Sequence, residues 1–204
     1  MKLEGDYRFD AAVRDVWDAL FDPAVLAAAM PGCEKLDVVD GAYVGEMTIK
    51  IGPITTKLTG KVDIADKVEL ENYKMTIDGR GSQGFVKATA NIALAADGDG
   101  TKLHYDADAQ IGGKIASVGQ RLIDASARAI SKQALDNLHE NVKRRAAAKP
   151  AEAAAPATEA PVYKQAEAGE VAKAVAKEVG KTMLPTILLV FALIVVIVWM
   201  LWLR

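Results

Sequence analysis

The stretch GFVKATANIALAADGDGTKLHYDADAQIGGKIASVGQRLID (Gly84–Asp124) decides the fold. Gly84, Val86, Ala88, Ala90, Ile92 and Leu94 alternate with more polar neighbours. Leu103, Tyr105, Ala107 and Ala109 do the same after the turn at Asp97–Gly100. A period of two on both sides of an Asp/Gly turn predicts an antiparallel hairpin with one buried face. From about Gly113 the period changes. No proline falls between Gly113 and Arg145, and Ile115, Val118, Leu122, Ala125, Ala129 and Leu135 form an apolar stripe. That predicts a long helix, and a hairpin leading into a helix predicts that the helix lies on the sheet.

Upstream the alternation recurs. Strands are predicted at Cys33–Val39, Tyr43–Ile51, Ile54–Ile64 and Tyr73–Gly79, the first two joined by an Asp40-Gly41 turn. A first strand covers Leu3–Phe9. A helix is expected over Ala11–Phe21, capped by Asp10, and a second runs from Pro23 through Met30 to the breaker Pro31-Gly32. The sum is an α+β fold: a curved antiparallel sheet of about seven strands around a long C-terminal helix. One face of such a sheet meets the helix and the other meets water. Lys50, Lys57, Lys61, Asp63, Lys74, Asp78, Lys87, Asp106 and Asp108 mark the wet face.

The predicted inner face is low in volume. Gly45, Gly60, Gly79, Ala88, Ala90, Ala107 and Ala109 all point inward, and the facing helix offers Ala116, Gly119, Ala125, Ser126 and Ala129. Native interiors are close-packed. Small residues on both sides mean either a very close approach or an apolar cavity suited to a lipid-like ligand.

The remainder of the chain is of another character. The domain is assigned to residues 1–145. Residues 146–170, AAAKPAEAAAPATEAPVYKQAEAGE, form an Ala/Pro/Glu-rich linker with nothing to build a core. Residues 171–182 are a basic juxtamembrane segment, and 183–204 a transmembrane anchor. Met183–Leu203 is 21 residues without a charge, about 31 Å as a helix, which matches a bilayer core. Lys173, Lys177 and Lys181 precede it and Arg204 follows, so the positive-inside rule places the domain in the cytoplasm. The N-terminus MKLEGDYRF does not read as a signal peptide.

Among its 204 residues the chain is 51% hydrophobic with a single cysteine, which excludes a disordered chain and a disulfide scaffold. Residues 1–140 carry 16 Lys+Arg against 22 Asp+Glu, a net of −6. An acidic domain excludes nucleic acid as the expected partner. No catalytic or metal-binding constellation is found. His104, outward on an edge-type strand, and His139 both read as surface residues, and Cys33 as a small apolar one. GSQGF at Gly81–Phe85 and IGGK at Ile111–Lys114 lack phosphate-loop spacing.

Four stretches taken together carry a resemblance. They are MPGCEKLD (Met30–Asp37), IGPITTKLTGKVDI (Ile51–Ile64), GRGSQGFVKATANIAL (Gly79–Leu94) and LHYDADAQIGGKIASVGQRLID (Leu103–Asp124). They resemble the carbon monoxide dehydrogenase CoxG family, of the helix-grip START/Bet v 1-like (SRPBCC) superfamily. The resemblance implies a non-catalytic accessory of a molybdenum-containing CO dehydrogenase, held at the bacterial cytoplasmic membrane and in contact with its lipids. It also implies a respiratory quinone, ubiquinone or menaquinone, bound in the grip. The alternatives are a carrier of another lipid-like ligand and a purely structural tether. Lining residues are expected at Leu26, Met30, Met47, Ile49, Leu58, Met75, Phe85, Ile115, Val118 and Leu122. Tyr105 is expected to line it too, and either Tyr43 or Tyr105 to donate to a polar head. Alternation points Phe85 outward, so its inclusion requires a bulge near Gly84.

Overall fold

Period-two segments become strands that pair with their sequence neighbours, and the chain's first strand closes the sheet. The computed structural model describes residues 1–152, with side chains as far as Ala147. Strand β1 (Lys2–Phe9) is followed by helices α1 (Val13–Leu20) and α2 (Pro23–Ala29). Then come β2 (Cys33–Val39), β3 (Ala42–Ile51), β4 (Ile54–Val68), β5 (Asn72–Gly81), β6 (Gly84–Asp97) and β7 (Gly100–Gly113). A 3-10 turn at Lys114–Val118 leads into helix α3 (Gln120–Glu152). The seven strands form one antiparallel sheet in the order β1-β7-β6-β5-β4-β3-β2. With α3 across its inner face, this is the helix-grip arrangement.

Local chemistry explains the joints. Asp40 and Gly41 both have positive φ (50° and 78°), as a two-residue primed hairpin turn requires. Asp22 caps α2 by accepting from the Ala24 and Val25 amides, and Pro23 opens that helix without losing a useful donor. The expected cap at Asp10 is not used. Ala12 stands at the N-cap of α1 with no side-chain bond, and Asp10 instead pairs with Arg8 at 2.6 Å. The single long helix expected from Gly113 is broken at Gly119, whose φ of +93° lies outside the helical region. His104 is not on an edge strand, because β1 pairs along the outside of β7.

Helix α3 is fastened at its two ends. Near its start, Leu122 packs so closely on the β3–β4 turn that a Cβ at Gly52 would strike it. Towards its end, Asn137 Nδ2 donates to Ala29 O at 3.2 Å, Tyr7 donates to Asp136 at 2.9 Å, and Arg145 pairs with Asp22 at 2.6 Å. Among the described residues no helix is long and apolar enough to cross a membrane. Helix α3 runs past Arg145 into the first residues of the assigned linker; the rest of the linker, the juxtamembrane segment and the expected span lie outside the described residues.

Candidate functional site

The inward side chains do not form one continuous core. They gather into two buried clusters at opposite ends of the grip. The larger holds Phe9, Val16, Trp17, Val25, Tyr73, Ile92, Leu94, Leu103, Leu138 and Val142, with Ile64, Met75, Tyr105 and Leu135 packed against it. The smaller holds Ile49, Ile51, Leu58 and Ile115, with Met47, Val86, Ile111, Val118 and Leu122 around it. Strand β4 runs from one to the other, with Leu58 in the second cluster and Ile64 against the first. Helix α3 spans the same interval, from Leu122 to Leu138.

Between the clusters lies a band of small side chains. Gly60 is the cross-strand partner of Gly79, and Ala88 of Ala109. Gly79 is buried, yet a Cβ built there would have one heavy atom within 4 Å, Val86 O at 3.8 Å. No side chain of α3 fills that space. Val62, Ile77, Ala88 and Ala109 face inward but are only partly buried. The band is therefore an apolar recess under α3, open at its flanks. On α3, Ser126 is 1% exposed, with the small residues Ala125 and Ala129 nearby in sequence. The Ser126 hydroxyl has no hydrogen-bond partner.

The residues expected to line a cavity fall mostly on the two flanks of this band. Ile49, Leu58 and Ile115 are buried in the smaller cluster, and Met47, Val118 and Leu122 pack against it. Met75 and Tyr105 pack against the larger cluster. Leu26 and Met30, on and just after α2, are half-buried. Tyr43 spends its donor on Phe21 O at 3.0 Å. Phe85 does not line the grip. No register shift occurs beside Gly84, so the bulge that would turn it inward is absent. Phe85 stands 39% exposed on the outer face, lying so close over Gly112 that a Cβ there would strike its ring.

The chemistry around the recess is neutral. His139 is not a surface residue: its side chain is 14% exposed and its ring stacks on Phe9 at 5.6 Å. Tyr7 rises above the usual phenol range through burial and its bond to Asp136, and burial does the same for Tyr73. Burial also raises the Cys33 thiol, which keeps it protonated and unreactive. Among the described residues no group of His, Cys, Asp and Glu could hold a metal ion. Charges sit on the outer face. Lys57 bridges Glu34 and Glu46 at 2.8 and 2.6 Å, and Asp6 meets His104 at 2.9 Å. The bond from Lys57, with Thr48 adding a second, holds Glu34 below the ordinary carboxylate range. Two open concavities lie outside the recess. One of about 660 Å³ includes Arg80, Phe85, Lys87 and Lys114, and one of about 520 Å³ includes Trp17, Phe21, Lys67 and Arg145.

Comparisons with known proteins agree with this geometry. The model of the carbon monoxide dehydrogenase CoxG subunit family matches residues 5–143. No curated protein matches the chain. Among solved structures, a conserved protein from Geobacillus kaustophilus is 26% identical with a TM-score of 0.67, covering 70% of this chain and 95% of its own. A START superfamily protein from Mycobacterium smegmatis is 11% identical with a TM-score of 0.56, covering 71% of this chain and 98% of its own. The Zhui aromatase/cyclase from Streptomyces sp. R1128 is 14% identical with a TM-score of 0.52, covering 72% and 95% respectively. The last two show a shared fold and nothing more.

Proposed function

This chain belongs to the carbon monoxide dehydrogenase CoxG family, and from that premise we propose that it is a membrane-anchored, non-catalytic accessory of a molybdenum-containing CO dehydrogenase. In this reading the grip takes a respiratory quinone out of the lipid. The quinone lies along the apolar recess between the sheet and α3. The enzyme oxidises CO with water to carbon dioxide, releasing two electrons and two protons, and the quinone takes these up as quinol. This chain's part is to bind, orient and deliver. Its apolar walls shed water from the ligand, and its outer charges remain available for docking the enzyme.

The observation that supports the ligand reading is the space beside Gly79, where a buried backbone has no side chain over it. Close-packed interiors rarely leave such a gap, and apolar gaps take up apolar molecules. The anchoring part rests on the 21 uncharged residues of Met183–Leu203 and the lysines that precede them. A tether of that kind raises the local concentration of the domain at the bilayer without any new contact.

The test is extraction of the full chain, purified in lipid nanodiscs, with mass spectrometry of what it carries. A stoichiometric quinone, together with co-purification of the dehydrogenase, supports the proposal. A different lipid at one per chain replaces the quinone with another ligand. A chain that carries nothing and takes up no quinone from liposomes is a structural tether. Deleting 183–204 should move the protein from the membrane to the soluble fraction.

A further inference from the structure

We propose that the β5–β6 end of the grip, where Phe85 lies exposed among Arg80, Lys87 and Lys114, docks on the surface of an anionic lipid bilayer. The inference rests on the anchored reading above and adds which face of the domain meets the lipid.

The domain is electrically lopsided. In an antiparallel meander, alternate turns fall at the same end of the sheet. At one end, Asp40-Gly41, residues 66–71 (DKVELE) and residues 97–100 (DGDG) hold six acids against one cation, Lys67. At the other end, residues 51–54 (IGPI), 81–84 (GSQG) and 113–121 (GKIASVGQR) hold no acid and two cations, Lys114 and Arg121. Arg80 and Lys87, on the strands that enter this end, add to its positive charge. The outer face there is laid out by register. Arg80 pairs across with Phe85, and Phe85 with Gly112. Lys87 lies between Asp78 and Gln110. Bare of a side chain, Gly112 lets the Phe85 ring lie against the strand. The cations border the concavity of about 660 Å³. Asp78 bonds Arg80 at 3.1 Å and lies 3.8 Å from Lys87, so one acid faces three cations. The Ile115 amide donates to Gln83 O at 3.0 Å, which ties this turn to the smaller buried cluster at one end of the recess.

Positive charge alone would suit any acidic surface, and three observations choose the bilayer. Phe85 is 39% exposed beside these cations, and an aromatic ring with basic neighbours suits the headgroup level of a membrane. Residues 1–140 carry a net of −6, so an anionic bilayer repels the rest of the domain and admits this end. The chain also has the reach. Helix α3 leaves the grip at the opposite end, and 30 residues, 153–182, separate it from the expected span. Fully extended they cover about 100 Å, roughly twice the ~50 Å length of α3. The tether is therefore long enough for the basic end to turn to the lipid.

The test uses the full chain with Cys33→Ser and one bimane label, attached through Ser82→Cys at the basic end or Asp99→Cys at the acidic end. Each is reconstituted in liposomes of brominated phosphatidylcholine, with or without about one third brominated phosphatidylglycerol, and quenching of the label by bromine is measured. The Ser82→Cys label should be quenched in the anionic liposomes and the Asp99→Cys label should not. Lys87→Gln with Lys114→Gln should lower the ratio of docked to free domain roughly thirtyfold, since each basic residue near such a surface counts about fivefold. Both lysines are exposed, so the thermal midpoint should not move. Salt at about 0.5 M should release the docked end without any substitution. Equal quenching of the two labels, or quenching indifferent to phosphatidylglycerol, overturns the proposal. A Ser82→Cys label shielded from acrylamide yet untouched by bromine means that protein covers this end, and also overturns it. A chain that floats with the liposomes while that label stays unquenched overturns the docking face and leaves the anchor standing. A chain that does not float overturns both.

Discussion

Two parts of one grip, a few strand residues apart, are built in opposite ways. At the α1 end, Phe9 is 0% and Trp17 4% exposed, and the Trp17, Phe21 and Tyr73 rings meet at 4.8 and 5.0 Å between centroids. Thr101 donates to Ala11 O and Asn137 to Ala29 O. In the middle, glycine faces glycine and alanine faces alanine. The backbone does not distinguish them. The β5–β6 register runs unbroken from Asn72 to Gly81 through both. What differs is side-chain volume. The ladder holds the sheet together everywhere, so volume can be withheld locally without loss of fold. One end packs the domain, and the middle is left short of side-chain volume.

The largest predicted effect separates these two roles. Phe9→Ala removes a fully buried ring that stacks on His139 and touches Tyr7. It should cost about 3–5 kcal/mol in denaturant unfolding. Gly79→Val adds volume where a Cβ meets only Val86 O at 3.8 Å. It should shift stability by less than about 1 kcal/mol, since a β-branched residue suits a strand, while abolishing ligand retention. Equal losses for the two variants would mean that the middle is packed core after all.

A smaller contrast uses hydroxyls. Thr101→Val keeps shape but leaves Ala11 O without its donor. A loss of about 1–2 kcal/mol is expected. Ser126→Ala removes a hydroxyl that bonds to nothing, so the unliganded domain should be unchanged to within about 0.5 kcal/mol or slightly firmer. Paired measurements by thermal unfolding decide it. A Ser126→Ala loss matching that of Thr101→Val would mean that the Ser126 hydroxyl stabilises the native state after all.

How far the sequence shows this contrast depends on the residue. Alternation carries every strand, and Asp40-Gly41 specifies its own turn, because both signals are local. The helix break at Gly119 is hidden, because a glycine within a helical pattern is tolerated as often as it interrupts. His139 reads as a surface residue because nothing in its own segment reveals that Phe9, 130 residues earlier, will lie under its ring. Tyr43 looks like a free donor until α1 brings Phe21 O to it. The small inner residues are visible at once, yet whether a helix closes on them is a matter of where α3 is fastened. Leu122 on the Gly52 turn and Arg145 on Asp22 fix it at the ends. Phe85 shows the opposite case, in which trusting the period over the appeal of an aromatic would have placed it correctly.

The smallest predicted effect concerns acid, and it too divides the molecule. Asp6 is held below the ordinary carboxylate range by its bond to His104, Glu34 by Lys57, and Asp78 by Arg80. All three lie on the outer face. A carboxylate with a lowered folded pKa contributes stability that is fully present above its unfolded value and is lost as pH falls through its folded value. The domain should therefore weaken on the acid side of about pH 4, and only modestly, since exposed pairs are screened by water. Carboxyl NMR should place the Glu34 midpoint below that of an ordinary glutamate, and Lys57→Met should move it back up. The recess has no such dependence. Gly60, Gly79, Ala88 and Ala109 carry no titratable group, so ligand retained per folded chain should be flat between about pH 5 and 8. A retention curve that follows a carboxylate would put a charged group against the ligand, and would move the site out of the neutral middle of the grip.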